Sequence, residues 1–151
     1  MKKSGFTMIE LIFVIVILGI LAAVAIPKLA ATRTDAKVST AAQEVTNFIT
    51  EAGNFYTAQG TFEGKKVSDI TNISPKKIDQ DNNLTDGDLI EYNVTSGKSC
   101  IKFKFDDVSD GNLTVSADGN DDGAVCKALK NLVTSQNLNK TYHFGGSNIS
   151  Y

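Results

Sequence analysis

The sequence predicts an α+β protein in which one long amino-terminal helix packs part of its length on a small antiparallel sheet. The first half of that helix is expected to span a membrane and the second half to be amphipathic. Three observations predict this. A nearly uncharged apolar run extends from Phe6 to Ile26, apolar residues then recur at three-and-four spacing from Val38 to Tyr56, and short alternating segments follow Leu89. The expected divisions are a basic leader at 1–5, the apolar helix at 6–27, its amphipathic continuation at 28–60 and a globular head at 61–151. A chain of 151 residues suits one modest domain with one long appended element.

The apolar segment reads "MKKSGFTMIELIFVIVILGILAAVAIPK". Lys2 and Lys3 precede it, so its start is expected to stay cytoplasmic. A helix over Phe6 to Ile26 would rise about 31 Å, enough to cross a bilayer. A secretory signal would have a shorter apolar core and a small-residue cleavage site. Ala22, Ala23 and Ala25 permit that reading, but Glu10 does not suit it. A plain anchor fits the length and leaves Glu10 unexplained. An acid in lipid is costly without a partner, so Glu10 either snorkels to the lipid boundary or has a pairing role.

This arrangement resembles the prepilin leader of bacterial type IV pilins and type II secretion pseudopilins. The matching residues are the short basic leader ending in Gly5, then Phe6, Glu10 and the unbroken apolar run, with Gly19 and Pro27 where that family has them. The resemblance is strong over about residues 1 to 55 and general beyond. It implies cleavage between Gly5 and Phe6 by a membrane-embedded prepilin peptidase, and methylation of the new Phe6 amine. A glycine lets a peptidase approach the backbone closely, and the cut creates a positive charge beside the membrane core. Glu10 could then pair with the Phe6 amine of a neighbouring subunit, which would favour one axial register. Phe6, Glu10, Gly19 and Pro27 are the assembly residues the resemblance implies.

The implied function is a structural subunit of a type IV pilus, assembled from the inner membrane for adhesion, twitching motility or DNA uptake. The alternative is a type II secretion pseudopilin. The implied partners are other copies of the chain in a helical homopolymer, the peptidase, the inner-membrane assembly or secretion machinery, and the membrane for the monomer. The head would lie outside the cytoplasm, and the fibre would be extracellular or, for a pseudopilus, periplasmic. No serine–histidine–acid set, paired catalytic carboxylates or phosphate-binding glycine loop points to an enzyme, and no cofactor is expected.

Beyond the run, Pro27 lacks an N–H and is expected to bend the helix rather than end it, because apolar periodicity resumes. Val38, Ala41, Ala42, Val45, Phe48, Ile49, Ala52, Phe55 and Tyr56 form one stripe, with Lys37, Glu44 and Glu51 on the other faces. Gly60 is the expected stop. From Thr61 to Leu89 the chain is polar and turn-rich and reads as a connecting loop tethered by Ile70, Ile73 and Ile78.

Strands are expected at 89–94, 100–105 and 113–117, a short helix over "GAVCKALKNLV" and a final strand over "TYHFG". Ile101, Phe103 and Phe105 alternate with Lys102 and Lys104, giving one buried face and one wet face. The 2 cysteines, Cys100 and Cys126, lie in the exported part and are expected to form a disulfide worth about 3.5 kcal/mol in the chain-entropy picture. Many type IV pilins carry a carboxy-terminal disulfide and pseudopilins often lack one, which favours the pilus reading.

His143, alone between aromatic neighbours, reads as structural, and the cysteines with one histidine are too few for zinc. "DGNDDG" places Asp118, Asn120 and Asp122 at alternate positions like the first half of a calcium loop, but the position where a closing acid is required holds Leu129. A plain Asp/Asn/Gly turn is the expectation, although major pseudopilins bind calcium near their carboxy end. The net charge of −2 becomes more acidic once the leader is lost, so nucleic acid is not an expected partner. Lys102 and Lys104 around Phe103 are too few for a basic aromatic strip. The glycosylation acceptor pattern N-x-[ST] starts at Asn72, Asn83, Asn93, Asn112, Asn139 and Asn148, and Asp81, Glu91 and Asp110 stand two residues before three of these.

Overall fold

A computed structural model describes residues 5–79, 81–95 and 97–145. Helix α1, Met8–Gln59, is 52 residues long and includes Pro27. It ends where Gly60 adopts φ +76° and donates its N–H to the Tyr56 carbonyl at 2.7 Å. A left-handed residue closes a helix at least cost when it has no Cβ.

The chain divides into two units between Ala36 and Lys37. The first holds the apolar part of α1, in which every described residue from Gly5 to Arg33 is exposed. Its most apolar window has a mean hydropathy of 3.1 and is 0% buried, and the helix is long and apolar enough to cross a membrane.

The second unit contains the rest of α1, helix α2 (Val67–Ile70), strands β1 (Leu89–Thr95), β2 (Lys98–Asp107) and β3 (Asn112–Ser116), helix α3 (Ala124–Ser135) and strand β4 (Thr141–His143). The strands form an antiparallel meander in the order β1-β2-β3-β4. This is the expected α+β arrangement. In β2, Ile101, Phe103 and Phe105 are buried while Lys104 is exposed, as their alternation predicts.

Val38, Ala41, Ala42, Val45, Phe48, Ile49 and Ala52 are the buried residues of α1. Phe48 meets Phe103 with ring centroids 4.2 Å apart. Burial of a side chain such as Phe48 or Val45 contributes about 1.5–3 kcal/mol. Phe62, fully buried, lies among Tyr56, Phe105 and Phe144, with centroids 5.2, 5.2 and 6.2 Å away. Gly111, at φ +68°, lies so close to the Tyr56 ring that a Cβ there would clash. The Tyr56 hydroxyl donates to the Ser109 carbonyl at 2.6 Å, tying the end of α1 to the β2–β3 turn.

The stretch between α1 and β1 is more ordered than its composition suggests. It contains α2, too short for periodicity to reveal, and isolated bridges join Lys66 to Asn83 and Ile78 to Tyr92. The expected tethers Ile70, Ile73 and Ile78 are buried, and so are Phe62, Val67 and Leu84. The stretch also covers part of the outer edge of β1, where the Asn93 N–H donates to the Lys77 carbonyl at 2.7 Å. Glu44 and Glu51 fasten it to α1. The Lys77 ammonium lies 2.6 and 2.7 Å from the two Glu44 oxygens, the buried Tyr92 hydroxyl donates to Glu44, and the Thr71 hydroxyl donates to Glu51 at 2.5 Å.

Cys100 of β2 and Cys126 of α3 form a disulfide with their Cα atoms 5.7 Å apart, and both are fully buried. Leu129 and Val133 complete the buried face of α3. Replacing both cysteines by alanine should lower the unfolding free energy of the head by about 3–4 kcal/mol, read as a lower denaturant midpoint.

Burial, followed by its hydrogen bond to Glu44 and repulsion from that carboxylate, pushes the Tyr92 phenol well above the usual tyrosine range. Unfolded Tyr92 therefore ionises first, and the folded state holds the extra proton. Stability from this source is complete below about pH 10 and is lost as pH rises further. Burial also raises Tyr142. Tyr92→Phe should thus flatten the alkaline limb of a stability-versus-pH curve without abolishing it.

Candidate assembly site and the loop before the last helix

Gly5, Phe6 and Thr7 precede the helix, and Met1–Ser4 of the expected leader lie outside the described residues. Thr7 and Glu10 form a reciprocal cap. The Thr7 N–H and hydroxyl reach Glu10 Oε2 at 2.8 and 2.6 Å, and the Glu10 N–H approaches the Thr7 hydroxyl at 3.4 Å. A T-x-x-E pattern satisfies helix-start donors in this way, and the macrodipole favours a carboxylate there. Glu10 therefore has an intramolecular partner in the single chain. The T-x-x-E pattern of Thr7 and Glu10 is present in the sequence, embedded at the start of the apolar run.

The expected junction at Gly5–Phe6 is non-helical, and nothing lies within 4 Å of where a Gly5 Cβ would be. Phe6, Ile9, Glu10, Phe13 and Val14 border an open hollow of about 380 Å³ on one side of the helix start. Phe6 is 83% exposed. Gly19 also has open space around its Cβ position, so no contact within this chain requires a glycine there. A helical glycine costs about 1 kcal/mol relative to alanine. Pro27 sits within α1 and removes one donor from its ladder. Glu10, Gly19 and Pro27 share one helix, which Gly5 and Phe6 precede, and of these five residues only Phe6 and Glu10 border the hollow.

The "DGNDDG" side chains also do not converge. Asp118 accepts from the Ser116 hydroxyl at 3.0 Å and lies 3.5 Å from Lys102, whereas Asn120 Oδ1 accepts the Ser99 N–H at 3.1 Å. Asp122 is exposed. Asp121 is instead the buried acid, and its Oδ1 accepts the Gly123 N–H at 2.8 Å just before α3. The Lys130 ammonium collects the carbonyls of Gly119 and Asp121 at 2.6 and 3.3 Å. Among the described residues, no group of three or more His, Cys, Asp or Glu is placed to hold a metal ion. His143 Nδ1 lies 2.7 Å from Asn112 Oδ1, across the β3–β4 pairing.

Residues 1–26 match the family model described as the prokaryotic N-terminal methylation motif. The chain is also 33% identical over 138 residues to two fimbrial proteins of Pseudomonas aeruginosa, covering 89% of this chain and 80% of theirs. The chain belongs to the type IV pilin family. No solved structure matches this pilin. The family is one of structural subunits, and the methylation motif with the apolar helix fits a pilin that is membrane-anchored before it is part of a fibre.

A calcium site at this loop meets a specific obstacle in this pilin. Lys130 supplies from within the chain the positive charge that a bound ion would bring to the carbonyls of this loop. Lys130→Met should destabilise the head by about 2 kcal/mol, because it removes a charged donor from two carbonyls. Adding a calcium chelator to the unsubstituted protein should leave its thermal midpoint unchanged. Both effects are readable in one set of melting curves.

Proposed function

We propose that this chain is a subunit of a type IV pilus, held in the inner membrane by α1 until leader cleavage and then added to a surface fibre. One observation carries the reading. Glu10 is the lone acid in an otherwise apolar helix segment that its own chain leaves exposed, and it lies near Phe6, where cleavage would create an amine. Similarity to fimbrial proteins over 89% of the chain supports a pilus, as does the Cys100–Cys126 disulfide.

In the single chain, Thr7 satisfies Glu10. In a fibre, the methylated Phe6 amine of a neighbour would bring a full positive charge to the same carboxylate. An ion pair in low dielectric is strongly register-dependent, since a misplaced neighbour leaves both charges unpaired. The apolar faces of α1 would cover one another, and Gly19 would allow close helix approach, as small residues do between helices in lipid. The peptidase that cuts at Gly5–Phe6 and the inner-membrane assembly machinery are the partners this mechanism requires.

Glu10→Ala should leave the head folded and the processed chain in the membrane, while the yield of sheared surface fibres falls at least tenfold. Glu10→Asp should retain part of that yield. Normal fibre yield from the alanine variant would sink the register mechanism. Absence of the chain from surface fibres of unsubstituted cells would instead favour a periplasmic pseudopilus.

A further inference from the structure

We propose that Asn83 is an acceptor for N-linked glycosylation of the exported head. The N-x-[ST] pattern with an acid two residues earlier occurs at Asn83, Asn93 and Asn112. The fold separates these three asparagines. Asn93 lies in β1, half-buried, with its Oδ1 closed off from solvent. Asn112 lies in β3 and its Oδ1 is engaged by His143 Nδ1 at 2.7 Å. Both carboxamides are held within a paired sheet, where a transferase cannot surround them.

Asn83 is held more lightly, by one isolated bridge to Lys66 rather than by pairing on both sides. It is exposed on the stretch between α2 and β1, and its carboxamide has no hydrogen-bond partner among the described residues. Leu84 beside it is fully buried, donates its N–H to the Lys65 carbonyl at 2.7 Å and accepts the Gly64 N–H at 3.1 Å. This anchor makes the motif alternate exposed, buried, exposed, so Asn83 and Thr85 are both open to solvent. The Thr85 hydroxyl donates to Asp88 Oδ2 at 3.0 Å, which leaves its oxygen able to accept. Asp81 is exposed as well.

The other described motifs lack part of this arrangement. Neither Asn72 nor Asn139 has the preceding acid, and Asn72, whose motif also runs exposed, buried, exposed, borders a hollow against Glu44, Asn47 and Glu51 of α1. At Asn139, moreover, the Thr141 hydroxyl lies 2.6 Å from that of Thr114. Asn148 lies outside the described residues.

The donor required is an oligosaccharide linked through its first sugar to a polyprenyl diphosphate in the membrane. The Asn83 Nδ2 forms a bond to C1 of that sugar as the bond from C1 to the phosphate oxygen breaks. The lipid diphosphate leaves with the electron pair, and one amide proton passes to a base of the transferase. No oxidant or reductant is consumed. The product carries a bulky hydrated group on an exposed stretch of the head.

The modification needs an exported head, as in the proposed function, but does not need fibres. The test is peptide mass analysis of the chain from native cells, taken separately from membranes and from sheared fibres, with protease accessibility of the head in spheroplasts reporting export independently. An accessible head whose Asn83 peptide carries at least one added sugar residue is the expected result. That increment should be lost completely in Asn83→Gln and Thr85→Ala and kept in Thr85→Ser. Peptides with Asn93 and Asn112 should keep their unmodified masses. An Asn83 peptide at its unmodified mass in both pools overturns the proposal. So does a glycan that persists in Asn83→Gln, since the sugar would then sit on another atom.

Discussion

Apolar helix surface that a chain leaves uncovered must be covered by lipid or by other chains. The described residues from Gly5 to Arg33 are all exposed, and their most apolar window has a mean hydropathy of 3.1. In water this would be an aggregation hazard rather than a fold. The first unit therefore needs an apolar environment, and in the proposed function a bilayer and then a bundle of neighbouring helices would supply it. There Glu10 would distinguish the two, because lipid offers no charge to meet it and an aligned neighbour with a free amine would.

The acids of α1 illustrate how position decides chemistry. Glu10 stands at the helix start and is held by Thr7, a local partner two polar atoms deep. Glu44 and Glu51 lie where α1 meets the head, and each draws a distant segment onto the helix through Lys77, Tyr92 and Thr71. The second pair builds a tertiary structure within one chain. The first lies exposed at the start of its helix and draws in nothing beyond Thr7.

The head uses covalent and charged fasteners where apolar area is small. Helix α3 has three buried residues, Cys126, Leu129 and Val133, a modest core contribution for its length. The disulfide to β2 and the Lys130 ammonium on the Gly119 and Asp121 carbonyls supplement them. Asp121, inserted beneath the start of α3, gives that helix an acid where its dipole favours one. The loop thus has opposite charges supplied by its own chain.

What the sequence alone determined was whatever local periodicity and special residues encode. The unbroken apolar run, the three-and-four stripe from Val38 to Ala52, the alternation of Ile101, Phe103 and Phe105, and the stop at Gly60 depend on neighbours in the chain, and each was legible. The T-x-x-E cap at Thr7 belongs to the same local class, though the apolar run around it obscured its meaning. Tertiary structure decided the matters that depend on residues far apart. It ordered the 61–88 stretch by burying Phe62, Val67 and Leu84, none of which forms a period. It turned Glu44 and Glu51 from solvent-facing acids into fasteners, and it made Asp121 rather than Asp118, Asn120 and Asp122 the interior acid of its loop. It also separated Asn83 from Asn93 and Asn112, which the same short pattern had made equivalent. The physical reason is the same each time: periodicity reports which face of an element is apolar, but only packing decides which polar group finds a distant partner and which stays open to water.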